Sequence, residues 1–368
     1  MDPTPSSPHT ARKGPLPGVL GRAASSLYAL GIARHNRRFD AGRGVNALPL
    51  PVISIGNLSV GGTGKTPMVA HVCRVLLERG IRPCIAMRGY APGRRRGAGQ
   101  GSDEADAYAR LFDDAVDLVS QPDRYAGVQE LLAARSTIGR DGAAAPPLPP
   151  PGAVVLDDGF QHRQIARDLD VVLVDASRSP FADRLLPAGW LREPVGSLRR
   201  ASCVVVTHAE LASERELDAL AQDIRRAHGQ PPIAVTRHLW TALRDADDRP
   251  RPLDALAGRR VLGVCAIGNP AGFAHSLRAT IGAAGPEPEL IMLPDHDAYV
   301  APTVDRIAAA ARRGDAEFIV TTDKDWSKLR TVPRGTWPCP VLRPELSLSF
   351  LRGREEFESL VVRAAGRR

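Results

Sequence analysis

The sequence predicts an α/β protein: two α/β/α domains with mainly parallel sheets, joined by a linker and preceded by an amphipathic helix. Three observations predict it. Apolar, β-branched runs such as Val52–Ile55 and Ala153–Leu156 are continuous rather than alternating, as in strands buried on both faces of a parallel sheet. Helical patterns separate these runs. Around residues 236–257 the periodicity loosens, and beyond it the alternation of strand and helix resumes. A chain of 368 residues suits two domains with sizeable cores at ~150 residues each. The expected boundaries are a basic N-terminal arm over 1–45, a first domain over 46–235, a linker over 236–257 and a smaller second domain over 258–368 that closes a cleft.

Residues 1–15 are rich in Pro, Ser and Thr and predict disorder. From Leu16 to Ala33, apolar residues recur at helical spacing and are flanked by Arg22 and by Arg34 to Arg38. Such a basic amphipathic helix either lies in the headgroup region of an anionic leaflet or packs on its own domain. Val52–Ile55 then reads as a buried strand, and Val69, Val72, Cys73 and Leu76 share one face of a helix that Gly80 stops. Between strand and helix lies Ser59-Val-Gly61-Gly62-Thr63-Gly64-Lys65-Thr66. Glycines let backbone N–H groups close on phosphate oxygens, a lysine reaches the outer phosphates, and a threonine hydroxyl can ligate Mg²⁺. This is a P-loop, with Ser59 where the general pattern has its first glycine. The chain is therefore expected to bind a nucleoside triphosphate.

A second strand follows over 82–90, ending in Arg88-Gly-Tyr90, and the loop beyond it with Arg94–Arg96 reads as a solvated surface loop. Ser102-Asp103-Glu104 opens a helix over 105–112; from spacing alone these carboxylates read as helix caps. A strand over 117–120 leads to Asp123-Arg124, and the Pro- and Ala-rich stretch 142–151 reads as a surface insertion without chemistry. The apolar run Ala153–Leu156 ends in Asp157-Asp158, with Gln161 and His162 close behind. Carboxylates at a strand's C-terminal edge, opposite a P-loop, are placed to hold Mg²⁺. Strands over 170–176 and 202–207 complete the first sheet, with a long loop carrying Arg192 between them. In the second domain, strands over 261–267, 290–293 and 318–322 alternate with helices over 270–284 and 303–313.

Composition bounds the partners. A net charge of +8 points to nucleic acid, a membrane or an anionic substrate. Residues 1–43 carry seven Lys and Arg against two Asp, so a surplus of five sits in the terminal arm. Aromatics make up only 5% and do not interleave with the basic residues, which argues against nucleic-acid binding. No run reaches the ~18 apolar residues of a membrane span. The five cysteines are widely spaced, without a C-x-x-C pair, and read as reduced core thiols of a cytosolic protein rather than a disulfide framework or zinc site. A P-loop GTPase or partition-type ATPase is the competing reading. Guanine specificity calls for [NT]-K-x-D, but Lys324 and Asp325 are adjacent here.

Taken together, Ile55–Pro67, Arg88–Tyr90, Asp103-Glu104, Leu156–His162, Leu186–Pro194, Gly268-Asn-Pro270, Pro294-Asp-His296 and Thr322–Asp325 resemble the tetraacyldisaccharide 4′-kinase family of lipid A biosynthesis. The resemblance runs from about Leu16 to the C-terminus, and Ser59 then matches the family's own form of the loop. It implies phosphorylation of the 4′-hydroxyl of a tetraacyldisaccharide 1-phosphate by ATP and Mg²⁺. The implied place is the cytoplasmic face of the inner membrane, with peripheral or monotopic attachment to an anionic surface, and a monomer is expected. It further implies that Ser59, Gly61, Gly62, Thr63, Gly64, Lys65 and Thr66 bind ATP, and that Thr66, Glu104, Asp157, Asp158 and Gln161 line the metal site. Asn57, Arg88, Arg124, His162 and Arg192 are the implied substrate contacts. Asp103 is the implied base, paired with His296 of the second domain, and Lys65 completes the catalytic set. An aspartate at a helix N-terminus is a weak base at neutral pH, so a histidine that orients it or shares its proton gives the pair a joint rationale. Two positions depart from the family's usual pattern: Ala105 in place of Pro, and Asp323 in place of Glu.

Overall fold

A computed structural model describes residues 14–89, 103–138, 149–295 and 297–366. The chain divides into two units, residues 1–236 with 350–368, and residues 237–349.

The first unit opens with α1 (Gly18–Asp40), followed by β1 (Val52–Asn57), α2 (Lys65–Glu78), β2 (Pro83–Met87), α3 (Asp103–Phe112), β3 (Asp117–Ser120), α4 (Arg124–Ile138), β4 (Ala153–Asp157), β5 (Leu169–Asp175), β6 (Cys203–Thr207), α5 (Glu214–His228) and the start of β7 (Ala234–Arg244). Its strands lie in the order β3-β2-β4-β1-β5-β6-β7, all parallel. Every residue of β1, β2, β4, β5 and β6 is buried, which explains their continuous apolar runs. The register sets Ile55 of β1 opposite Asp157 of β4, so the acidic end of β4 emerges level with the P-loop. Ligands in open parallel sheets bind at this carboxyl edge.

The second unit contains the rest of β7, β8 (Pro250–Arg251), β9 (Val261–Cys265), α6 (Pro270–Ile281), β10 (Glu289–Met292), α7 (Ala301–Arg313), β11 (Phe318–Thr321), α8 (Asp323–Leu329) and most of β12 (Val341–Arg352). Its order is β10-β9-β11-β12-β7, with β8 antiparallel to β7. Leu262, Val264, Ile307 and Ile319 are among its core residues.

Two expected boundaries need correction. Residues 236–257 are not a linker: β7 extends to Arg244, β8 and a 3₁₀ turn over Leu253–Leu256 follow, and the first residues of β7 pair in parallel with β6, Ala234 opposite Val205. The C-terminus does not stay with the second domain either. After β12 the chain returns to the first unit as α9 (Arg354–Ala365), which packs on α2 and β1. Phe357 and Val361 are fully buried there, and Glu358 Oε1 lies 3.1 Å from His71 Nε2 of α2. Burial of this apolar face outweighs the chain-order expectation.

The cysteines are free thiols; Cys73, Cys84, Cys203 and Cys265 are buried and Cys339 is partly so. Burial pushes the Cys84, Cys203 and Cys265 thiols up to about 12, which leaves them unreactive. No helix among the described residues is long and apolar enough to cross a membrane.

Helix α1 packs on its own unit and leaves its other face exposed. Its inner face docks through short polar groups. Ser25 Oγ donates to Leu185 O (2.9 Å), Tyr28 OH to Arg192 O (2.9 Å) and Asn36 Nδ2 to Glu193 Oε2 (2.9 Å). Phe39 is buried beneath Arg163, whose guanidinium also bonds Asp40. The outer face leaves Val19, Leu20, Leu27 and Leu30 68–79% exposed. The helix runs on to Asp40, past the expected end at Ala33, because Asn36 and Phe39 anchor its last turns.

Candidate active site

The loop over 58–64 turns from β1 into α2 through two glycines at positive φ, Gly61 at 128° and Gly64 at 79°. Gly64 is the N-cap of α2 in the left-handed region, where a side chain would be strained. The loop is pinned from both sides. Thr207 Oγ1 at the end of β6 donates to Thr63 O (3.0 Å), Val60 N to Trp190 O (2.8 Å) and Arg192 N to Leu58 O (2.7 Å). Ser59 thus serves as a backbone bridge to Leu191.

Asp157 and Asp158 end β4 in different surroundings. Asp157 is 4% exposed, and its Oδ2 accepts from Tyr108 OH of α3 at 2.9 Å. Burial raises the Tyr108 phenol well above its ordinary value, and the neighbouring Asp157 adds to this, so the phenol is the donor. Asp158 adopts φ 52°, uncommon outside glycine and tolerated by Asp. Gly159 follows because a Cβ there would stand 2.5 Å from Ser54 Oγ, and its N–H bonds Ile55 O (3.0 Å). This bend turns the Asp158 carboxylate to the loop. Its Oδ1 lies 3.5 Å from Lys65 Nζ and its Oδ2 accepts from Arg192 Nη1 at 2.7 Å. Burial alone would raise the Asp158 carboxyl, but Lys65, Arg192 and Arg124 outweigh it and hold it below the usual range.

Around this centre the predicted residues fall into two groups. Asn57, Lys65, Asp158, Gln161 and Arg192 form one network. Lys65 Nζ reaches Asn57 Oδ1 (3.5 Å), and Gln161 Nε2 donates to Asn57 O (3.0 Å) and Glu193 Oε1 (3.2 Å). Gln161 Oε1 faces Arg192 Nη1 (3.4 Å), so its amide braces the loop in this arrangement. Arg124 is 3% exposed and donates to the Asp158 carbonyl (3.3 Å), beneath the carboxylates. His162 is half-buried; burial, with the charges of Arg124 and Arg167, depresses its pKa to about 4, so it is a neutral imidazole at pH 7. Arg88 lies apart, exposed at the end of β2. Asp103 and Glu104 begin α3, but their side chains lie outside the described residues, as does His296.

The arrangement fits a nucleotide with its cation. A glycine cradle at a helix N-terminus suits phosphate oxygens. Thr63 Oγ1 is buried there with no hydrogen-bond partner among the described residues. A lysine held by a carboxylate and an amide can be handed to phosphate without reorganising its surroundings.

Comparison with known proteins decides the family. The family model described as LpxK: Tetraacyldisaccharide-1-P 4'-kinase matches residues 19–364. The chain belongs to the tetraacyldisaccharide 4′-kinase family. The tetraacyldisaccharide 4′-kinase of Anaeromyxobacter dehalogenans (strain 2CP-C) is 38% identical over 335 residues, 86% of this chain and 84% of that protein. That of Chlorobaculum parvum (strain DSM 263 / NCIMB 8327) is 32% identical over 364 residues, 93% and 94% of the two chains. A crystal structure of LpxK from Aquifex aeolicus in complex with ATP has a TM-score of 0.65 at 29% identity, covering 93% of this chain and 97% of that one. The protein is thus a 4′-kinase that phosphorylates a hydroxyl group, with the α/β fold of LpxK.

Several residues of this 4′-kinase site escape a reading of the sequence. Glu193 is 2% exposed and paired with Arg200 through two contacts of 2.7 and 3.1 Å. Burial would raise its pKa, but Arg200 and Asn36 hold it down, so an ionised carboxylate links α1 to Gln161. Arg178 stands against the P-loop, its Nη1 3.7 Å from where a Cβ on Gly61 would be. Asn36 and Glu193 are 157 positions apart, and no local pattern connects them.

Proposed function

We propose that this protein transfers the γ-phosphoryl group of ATP to the 4′-hydroxyl of a tetraacyldisaccharide 1-phosphate, with Mg²⁺, at the cytoplasmic face of the inner membrane. The observation that carries the reading is the joining of Lys65, Asp158 and Arg192 at the mouth of the glycine cradle. Phosphoryl transfer needs positioning and charge neutralisation more than covalent chemistry. Lys65 moves from Asp158 to the outer phosphates, and Arg192 keeps Asp158 ionised and oriented. Thr66 and Asp157 would hold the cation, with Glu104 as a further ligand, and Mg²⁺ bound there would supply charge neutralisation for the transferring group. Asp103 and His296 take the proton of the attacking hydroxyl as one unit. Arg88 and neutral His162 contact the glycolipid. The test is transfer of labelled γ-phosphate to the lipid acceptor in mixed micelles, with ATP and GTP compared and Mg²⁺ chelated in a parallel sample. Transfer from ATP that stops on chelation supports the reading; efficient transfer from GTP, or none to the lipid, contradicts it.

The exposed face of α1 carries the membrane contact. Val19, Leu20, Leu27 and Leu30 project outward beside Arg22, Arg34, Arg37 and Arg38, the pattern of a helix lying in an anionic interface. Full burial of each such side chain contributes roughly 1.5–3 kcal/mol. Replacing all four with Ser, while leaving Tyr28 and Asn36 in place, is expected to lower partitioning into phosphatidylglycerol vesicles by more than ~10²-fold. KM for the micellar acceptor should rise, with KM for ATP unchanged. Vesicle binding that survives the four substitutions at low salt, where attraction is least screened, removes this role from the helix.

A further inference from the structure

Glu193 lies in the loop between β5 and β6, just before a 3₁₀ turn over Val195–Arg200, and is buried. Arg200, at the end of that turn, grips its carboxylate twice, Nη1 on Oε2 at 2.7 Å and Nη2 on Oε1 at 3.1 Å. The guanidinium sits over the buried Phe160 ring, 4.2 Å from its centroid, so the carboxylate rests on a rigid base. Asn36 Nδ2 of α1 donates to Oε2 (2.9 Å), and Gln161 Nε2 donates to Oε1 (3.2 Å) and to Asn57 O (3.0 Å). An amide nitrogen only donates, while an ionised carboxylate and a carbonyl only accept. Both N–H groups of Gln161 are therefore drawn to Glu193 and Asn57, and its Oε1 is turned to Arg192 Nη1, 3.4 Å away. The reverse orientation would set the amide oxygen against the carboxylate and the carbonyl, and its nitrogen against the guanidinium. The same Nη1 gives Asp158 Oδ2 its 2.7 Å bond, and Asp158 Oδ1 lies 3.5 Å from Lys65 Nζ.

We propose that Glu193 is a positioning residue of the kinase: through the Gln161 amide it sets Arg192, and through Arg192 the Asp158 carboxylate that faces Lys65. This rests on the reading of Lys65, Asp158 and Arg192 as the phosphate-facing set. Asp158 is shared between two cations. With Arg192 anchored, the carboxylate keeps its shorter bond there and holds Lys65 only at long range, which leaves the ammonium available to phosphate. With Arg192 adrift, Asp158 closes on Lys65 and competes with the nucleotide for it. Rigid support of this kind keeps a reacting constellation within the narrow geometry that transfer needs. Because Asn36 bonds the same carboxylate, α1 and the lysine of the P-loop belong to one hydrogen-bonded chain.

The test removes the ion pair as a unit from the full-length protein, Glu193→Leu with Arg200→Met, so that neither charge is left without its partner. For the micellar acceptor, kcat is expected to fall by ~10-fold to ~10²-fold, the cost of a small displacement transmitted from outside the chemistry, with KM for the acceptor unchanged. Gln161→Ala should lose a similar factor, and the combined variant little more than the worse of the two, because the residues act in series. A readout without ATP or lipid follows the route itself: ¹⁵N NMR of the arginine Nη groups, with Arg192 assigned by its loss in Arg192→Lys. A guanidinium held by Asp158 and Gln161 rotates slowly and gives separate Nη signals in wild type; in the paired replacement and in Gln161→Ala they should merge. A purely structural Glu193 lowers Tm, leaves the Arg192 signals separate and gives kcat costs that multiply with those of Gln161→Ala. Separate signals or multiplying costs each overturn the proposal. If the paired replacement does not fold, Glu193→Gln keeps the size of the side chain and removes its charge. Merged Arg192 signals and a several-fold lower kcat are then expected, and a wild-type value for either overturns the proposal. Wild-type protein with separate Arg192 signals but no transfer to the lipid defeats the reading of the site, and the positioning role with it; the NMR tells that failure from a missing Arg192 contact.

Discussion

Lys65→Ala is expected to lower kcat/KM by ~10³ or more, with a Tm close to that of wild type. The size follows from the worth of a single preorganised charge at a reacting phosphoryl group, at or above the ~10²–10³ measured for one oxyanion donor. The small effect on stability follows from the geometry. Lys65 Nζ makes two long contacts, 3.5 Å each to Asp158 and Asn57, and the residue is not among those of the buried core. Asp158 keeps its shorter bond to Arg192 at 2.7 Å when the lysine is lost. A variant that melts like wild type yet turns over within a few-fold of it shows that Lys65 does not meet the phosphates.

Asp103→Ala is expected to lose ~10²–10⁴ in kcat, the usual worth of a positioned base, with little change in ATP affinity. His296→Ala should lose much of the same factor. The double variant should lose little more than the worse single, because members of one unit are strongly non-additive. An Asp103 that only caps α3 behaves otherwise: its loss costs ~1 kcal/mol of stability and leaves turnover near normal. Measuring kcat and Tm for both singles and the double separates these outcomes. Costs that multiply would show two independent residues.

The first unit was largely legible because its strands are buried on both faces. Residues 117–120 and 153–157 are strands with the limits their apolar runs suggest, and the acids at 157 and 158 stand beside the P-loop as strand edge and loop require. Helix α1 was visible as an amphipathic pattern, but the pattern could not say which face docks. The inner face uses Ser25, Tyr28 and Asn36, polar groups whose partners lie more than 150 positions away. β7 was missed because Arg237, His238, Thr241 and Arg244 interrupt its apolar residues, and burial varies irregularly along it. The return of α9 to the first unit depends on Phe357 and Glu358 finding α2, a tertiary choice that no local propensity encodes. Tyr108 is hidden for the same reason. Nothing local marks it out in α3, and only the fold brings its hydroxyl to Asp157.

The central claim is the position of the transferred phosphate. Purified protein should be incubated with Mg²⁺, ATP and tetraacyldisaccharide 1-phosphate in detergent micelles, and the lipid product assigned by phosphorus–proton correlation NMR. The account predicts one new phosphomonoester, coupled to the proton at the 4′ carbon, formed in step with ADP. ADP released without a phosphorylated lipid, or a phosphate on any other hydroxyl, would contradict it.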